Sequence, residues 1–196
     1  VNLGFDSLDD TYFAKHGIKA RLTGRYHFDM DTPDEQYGSE TQFFELAYSF
    51  QSYITPNQGR FSIIPQFYGR YVSGNPLYYN LWSTYGGEIA SRHFEEQLPF
   101  IGYTTLSVAS DNTCVLRLDL RYNKYEKHYL TAMYNFMANF DYLTHDYLTL
   151  SDVFDFNTQG AGLKYSYESP LGPISLTGHW SKVNSTNHFG AYFSLG

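Results

Sequence analysis

The side chains that could do chemistry are few and scattered. Seven histidines, His16, His27, His93, His128, His145, His179 and His188, are dispersed with no pair at a helical or hairpin metal-binding spacing. Cys114 is the single cysteine, so an internal disulfide and a CxxC pair are excluded, and neither HExxH nor GxSxG occurs. A Ser-His-Asp set assembled across strands stays open, since such triads are defined by geometry and not by order along the chain, but nothing selects one. Asp6, Asp9 and Asp10 form a dense acidic group of the kind that hard cations favour. Without EF-hand spacing after it, the group reads as a solvated turn built on Asx hydrogen bonds. No metal and no cofactor are expected.

The charge that does carry a pattern is basic. Lys19, Arg21, Arg25, Arg60, Arg70, Arg117, Arg121 and Lys164 fall on the polar parity of alternating segments, where only Glu45, Asp119 and Glu168 oppose them. The acids crowd elsewhere, as in Asp29, Asp31, Asp34, Glu35 and Glu40, and again in Asp141, Asp146, Asp152 and Asp155. The expected molecule is therefore acidic at one rim and basic inside. Its net charge of -7 argues against nucleic acid as the main partner.

The elements that must position these residues are strands. In the 196-residue chain, 19% of residues are aromatic, with 20 Tyr and 16 Phe, and only 17% are charged. Average soluble domains carry about 25% charged residues and disordered chains lack aromatics, so disorder is excluded and an ordinary soluble globule disfavoured. From 18 to 28 one parity reads Ile18, Ala20, Leu22, Gly24, Tyr26, Phe28 and the other Lys19, Arg21, Thr23, Arg25, His27. The pattern recurs near 44–51, 61–71, 116–123, 130–139, 161–168, 174–182 and 187–195, with an opening strand near 2–5. That makes nine antiparallel strands, and no 3.6-residue period is present. Short turns near 56–59, 124–127 and 169–173 alternate with long connections near 29–39, 73–112 and 141–157. Short turns at one end and long loops at the other, with aromatics at the apolar ends of the strands, are the signature of a transmembrane β-barrel. A soluble sandwich fits each strand singly and the set poorly. No run of 18 apolar residues exists, which says nothing against strands, because alternation hides them from averaged hydropathy.

Three segments resemble a family. Asp6-Ser7-Leu8-Asp9-Asp10-Thr11-Tyr12-Phe13-Ala14-Lys15-His16-Gly17 is similar to the D-x-x-D-x-x-x-F-P-x-x-G turn of the bacterial surface antigen superfamily, the BamA-like outer-membrane assembly and translocation barrels, with Ala14 in place of Pro. Gly86-Gly87-Glu88-Ile89-Ala90-Ser91-Arg92-His93-Phe94 resembles the family's Gly-Gly followed by [VI]-R-G-[FY], matching at Gly86, Gly87, Arg92 and Phe94 and departing at Ser91 and His93. Ser169-Pro170-Leu171-Gly172-Pro173 resembles the S-P-[LM]-G-P turn before the last two strands.

The resemblance implies an all-β fold in the bacterial outer membrane, with residues 1–196 as the C-terminal nine strands or so of one sixteen-stranded barrel and a fragment of a longer chain. It implies a loop folded into the lumen, where Arg92 meets an acid on the wall. Asp119 is the matching candidate, while Asn135 and Phe136 occupy the neighbourhood of the family's second wall acid. Arg21, Arg25, Arg70, Arg117 and Arg121 would form a basic lumen face. His188, Gly190, Phe193 and Leu195 fit the terminal assembly signal, and a short piece beyond Gly196 is expected. Gln97-Leu98-Pro99-Phe100-Ile101-Gly102 looks most like barrels attached to patatin-like phospholipases. The implied role is anchoring or translocating an attached or partner polypeptide, with no catalysis in these residues. The implied partners are outer-membrane lipid, the N-terminal half of the barrel, the barrel assembly machinery and an attached phospholipase or secreted polypeptide. The alternatives are an anion-favouring pore and a barrel-borne hydrolase.

Overall fold

Segments with a two-residue apolar period can bury only one face, and pairing them edge to edge leaves one sheet with two chemically different sides. In the computed structural model this gives β1 (Asn2–Asp6), β2 (Gly17–His27), β3 (Phe43–Tyr53), β4 (Phe61–Val72), β8 (Asn112–Tyr125), β9 (His128–Phe140), β10 (Thr158–Ser169), β11 (Gly172–Val183) and β12 (Thr186–Leu195). They form one nine-stranded sheet in the order β1-β2-β3-β4-β8-β9-β10-β11-β12, every pair antiparallel. Three short strands, β5 (Ser83–Tyr85), β6 (Gln97–Leu98) and β7 (Val108–Ser110), make a separate small sheet in the order β6-β5-β7, with β5 and β6 parallel. The structure describes residues 1–28, 43–73, 83–88, 97–103, 108–110, 112–140, 158–183 and 186–195.

The nine long-range strands lie where the alternation predicts them. Sequence reading misses β5 to β7, because two or three residues carry no measurable period. In the nine-stranded sheet every strand after β1 runs 10 to 14 residues, long enough to cross a bilayer at the usual tilt. Turns 7–16, 54–60, 126–127 and 170–171 lie at one end of the sheet, and β2, β4, β9 and β11 finish at the other.

Burial is inverted relative to a soluble domain. Leu22, Phe50, Leu118, Tyr134, Leu163, Leu176 and Phe193 are exposed, whereas Arg70, Thr113, Arg117, Asp119, Asn135, Thr177 and Ser181 are each at most 6% exposed. In water, an apolar face running across nine strands would far exceed the patches that monomers tolerate. In lipid it is the ordinary exterior, and the polar face is the lumen.

The turn between β1 and β2 closes the short-turn end. Asp6 at its start and Asp9 and Asp10 within it each give one carboxylate oxygen to backbone amides. Asp6 accepts from Leu8 (3.1 Å), Asp9 from Lys15 (2.8 Å) and His16 (3.1 Å), and Asp10 from Tyr12 (2.8 Å) and Phe13 (2.7 Å). Those of Asp6 and Asp10 are the Asx bonds expected of a turn, while Asp9 reaches six and seven residues ahead and clasps the turn's far side. The turn then tucks inward. Ala14 is buried, Phe13 stacks on Tyr129 at 3.8 Å between centroids, and Thr55 donates to the Lys15 carbonyl at 2.8 Å. Arg121 sits at the junction, donating to the carbonyls of Phe13 and Ala14 and lying 5.7 to 5.9 Å from the rings of Phe13, Tyr53 and Tyr129. Ring faces and carbonyls together solvate the guanidinium where water is excluded.

Two outcomes follow. Leu118→Arg, on the outward face of mid-sheet β8, should destabilise the barrel by about 2–4 kcal/mol if it lies near the bilayer midplane, while Leu171→Arg at the exposed turn should cost about 0–1 kcal/mol. Urea titration of the protein in lipid vesicles measures both, and equal costs would invert the assignment of faces. In the turn, the Asp9 carboxyl lies below its ordinary range. Burial pushes it upward, but the His16 and Lys15 amides outweigh burial and the net direction is down. A lowered folded value means stability that is present above the ordinary carboxylate value of about 3.9 and lost as pH falls through the folded value. NMR of the Lys15 and His16 amides should therefore show titration midpoints below about 3.9. Midpoints at or above it would mean the amide bonds to Asp9 are absent.

Candidate functional site: a loop folded into the lumen

A lumen lined by polar side chains must be filled with water or with protein that satisfies them. Here residues 83–88 and 97–103, between β4 and β8, occupy it. Tyr85, Phe100 and Tyr103 of this loop are buried against Tyr68, Val115 and Met137 of the wall, with Leu98 packed alongside. This is the molecule's compact apolar cluster, and it forms between loop and wall, not between sheets. Met133 and Met137, on the polar parity, are packing residues of that interior.

Bends and hydrogen bonds hold the loop's course. Gly87 sits at φ 78°, a left-handed conformation that disfavours a side chain, and Gly86 at φ 145°. The Gly87 amide donates to the Tyr103 carbonyl at 3.0 Å, and the Phe100 amide returns a bond to the Gly87 carbonyl at 3.0 Å. Gln97 donates to the Gly86 carbonyl at 3.1 Å. Wall side chains then pair with the loop backbone. Tyr68 donates to the Pro99 carbonyl (2.6 Å) and Ser181 to the Gly102 carbonyl (2.8 Å), while Tyr192 accepts from the Gly102 amide (3.1 Å) and donates to the Tyr103 carbonyl. Asn135, fully buried, accepts from the Ile101 amide at 3.0 Å and donates to the Ile101 carbonyl at 3.4 Å. Its carboxamide therefore meets both polar groups of one residue, as a neighbouring strand would. At Gly160 the wall comes so near that an added Cβ would stand 1.8 Å from the Ile101 oxygen, so only glycine admits the loop there.

Charges are compensated by side chains on particular strands. Arg117 grips Asp119 with two bonds, Nε to Oδ1 at 2.7 Å and Nη2 to Oδ2 at 2.8 Å, and Gln66 donates to Oδ2 at 3.0 Å. The remaining arm of Arg117 donates to the Glu88 carbonyl at 3.2 Å, tying the pair to the loop. Nearer the long-loop end, buried Glu45 receives Arg70 Nε (3.0 Å), Arg25 Nη1 (3.0 Å) and His27 Nε2 (3.2 Å). Lys164 pairs with Glu88. Of the expected basic face, Arg70, Arg117 and Arg121 are buried and Arg25 half-buried, while Arg21 is exposed on edge-proximal β2. The basic excess of the sequence is thus largely spent on carboxylates, carbonyls and rings.

Among the expected site residues, Gly86, Gly87 and Asp119 converge in the lumen, and Arg92 and Phe94 lie outside the described residues. His188 and Gly190 face the lumen side of β12, with Phe193 and Leu195 outward and exposed. Gly190 also has a local packing reason to be small, since a Cβ there would meet the His179 ring at 2.7 Å, where that ring stacks on Tyr192. Sequence reasoning missed Glu88, Tyr68, Ser181 and Tyr192 as loop contacts. Tyr68 and Ser181 lay on the polar parity, and that was their only signal. Among the described residues no three His, Cys, Asp or Glu side chains gather as a metal site.

A sheet that is apolar outside, polar inside and filled by one of its own loops defines an outer-membrane β-barrel with an internal plug. Over residues 1–196 the chain matches the OMP85 superfamily, and it belongs to that family. Its fold is similar to the crystal structure of BamA from Haemophilus ducreyi lacking POTRA domains 1–3, with a TM-score of 0.66 and 17% identity. The match covers 98% of this chain and 41% of that one, so the chain spans about two fifths of the length of that BamA. No curated protein matches it. The protein is therefore an outer-membrane β-barrel protein of the OMP85 superfamily, with a fold like that of the BamA barrel.

Removing one partner of the buried pair should be costly. Asp119→Asn leaves Arg117 as an uncompensated cation and should destabilise the folded barrel by roughly 3–5 kcal/mol, whereas Arg117→Met combined with Asp119→Leu should cost clearly less. Urea unfolding in vesicles distinguishes them, and a double variant as unstable as Asp119→Asn would contradict the assignment.

Proposed function

We propose that residues 1–196 are the C-terminal portion of one sixteen-stranded barrel that anchors or translocates a polypeptide, with an attached patatin-like phospholipase domain as the finer reading. The observation that carries this is the occupied lumen. A loop whose described residues bury an apolar cluster and pair charges against the wall takes up lumen space that an open pore would need, which disfavours the anion-favouring pore. With the lumen filled, a client polypeptide is handled at the edge strands. Because β1 and β12 run in the same direction, an antiparallel closure takes an odd number of further strands, and sixteen requires seven beyond these nine. The N-terminal half of the barrel is the partner that supplies them, since an unpaired edge in lipid leaves backbone groups unsatisfied.

The patatin reading rests on the resemblance of the segment Gln97 to Gly102 to barrels of that kind, a segment bonded to the wall at Pro99, Ile101 and Gly102. Any hydrolytic chemistry then belongs to the attached domain. His188, Gly190, Phe193 and Leu195 serve as the signal read by the assembly machinery. Arg92 and Phe94 lie in the same loop as Glu88, and Arg92 adds a second cation to Asp119. A cycle of Arg92→Ala and Asp119→Ala should show a coupling of about 1 kcal/mol or more in unfolding experiments, and additive effects would remove that role.

The main test uses the intact protein in its native membrane, with a photo-crosslinking residue in place of Ser194 on β12. Crosslinks to the attached or a secreted polypeptide are expected. Crosslinks to lipid and to the barrel's own strands alone would overturn polypeptide handling at this edge.

A further inference from the structure

Glu88 is a carboxylate buried where no water-facing role explains it. Its side chain is 9% exposed, and burying an ion is costly unless every lone pair finds a partner. The partners are there. Oε1 receives Lys164 Nζ, Oε2 receives the Thr177 hydroxyl at 2.8 Å, and the Glu88 carbonyl receives Arg117 at 3.2 Å. Lys164 on β10 and Thr177 on β11 stand directly opposite each other in the strand register, so they present a two-pronged receptor on the lumen wall. Arg117 belongs to β8, and β9 lies between it and β10. One loop residue thus ties together three wall strands.

We propose that Glu88 is a positioning residue, a second anchor that pins the lumenal loop to β10 and β11 independently of the arginine-bearing segment that follows it. The proposal rests on the plugged-barrel reading above and deepens it by naming what keeps the plug seated. The geometry explains why a lysine is placed inside the barrel with no wall acid as its partner among the described residues: its cross-strand neighbours, Thr131 on β9 and Thr177 on β11, are both neutral, and its counter-charge comes from the loop. It also explains why the Gly86-Gly87 bend precedes Glu88, since the bend aims the carboxylate at β10 while leaving its carbonyl for Arg117. A seated loop and a displaced loop are two states, and a contact made only in the seated state sets their ratio.

The test is conductance of the full-length protein in planar lipid bilayers, with heat-modifiable migration on gels as the check on folding. E88Q and K164M should each raise the time-averaged conductance about tenfold, within the range of ordinary coupling energies. The charge exchange E88K with K164E should return it toward the wild-type level, which a merely structural role for either residue would not produce. Folded single variants as quiet as wild type would overturn the proposal, and so would an exchange variant that conducts like the singles. Should the single variants fail to fold, the exchange variant decides: folded and quiet supports the anchor, unfolded or conducting refutes it. Failure of the Ser194 crosslink with a positive conductance result counts against polypeptide handling and leaves the anchor standing. Unchanged conductance with an intact crosslink removes the anchor alone.

Discussion

Everything in this molecule depends on the sheet having its polar face enclosed. A β-sheet in hydrocarbon satisfies its backbone groups only through its own ladder, and the side chains facing lipid must be apolar. The other face then collects every group that needs hydrogen bonds, in a space too confined to leave them to bulk water. Arg70, Arg117, Asp119, Asn135, Thr177 and Ser181 are buried for that reason. Each either finds a wall partner or takes one from the loop. The loop between β4 and β8 is therefore the complement of the wall as much as an addition to it, supplying carbonyls to Tyr68 and Ser181, an amide and a carbonyl to Asn135, and a carboxylate to Lys164.

This complementarity separates the two ends of the barrel. At the short-turn end, the turn between β1 and β2 is braced through Phe13, Ala14 and the Arg121 guanidinium, using rings and carbonyls. Toward the long-loop end, Glu45 gathers two arginines and a histidine from its two neighbouring strands. Between them lies the loop, held by backbone pairing and by the Glu88 and Asp119 contacts. A low local dielectric makes each of these pairings stronger and each unpaired group more costly, so the three regions favour a single arrangement of the interior.

The strands were legible in the sequence because a two-residue period sustained over ten or more residues is hard to produce by other means. The direction of the faces was legible from composition: Tyr and Phe on one parity, basic residues on the other. What the chain did not disclose is which groups meet across the lumen. Glu88 and Lys164 are 76 residues apart and Arg121 and Phe13 are 108 apart, and neither pairing has a local signature. Asn135 was visible only as a departure from an expected acid. Its carboxamide suits a backbone partner, which Ile101 provides, and that could not be inferred without the course of the loop. Likewise Gly160 reads in sequence as a weak strand residue, and its reason emerges only from the carbonyl pressed against it.

Tyr192 gives the last strand a second attachment. Its ring stacks on His179 of β11 and its hydroxyl bonds to Gly102 and Tyr103, so β12 is fastened to the lumen contents as well as to its ladder neighbour. A strand held by its ladder alone could unzip one backbone bond at a time from either end. β12 cannot unzip past its middle without also extracting a tyrosine from the interior. Resistance to peeling is therefore concentrated at one residue along the strand, and the force needed to part the seam depends on how the interior is packed.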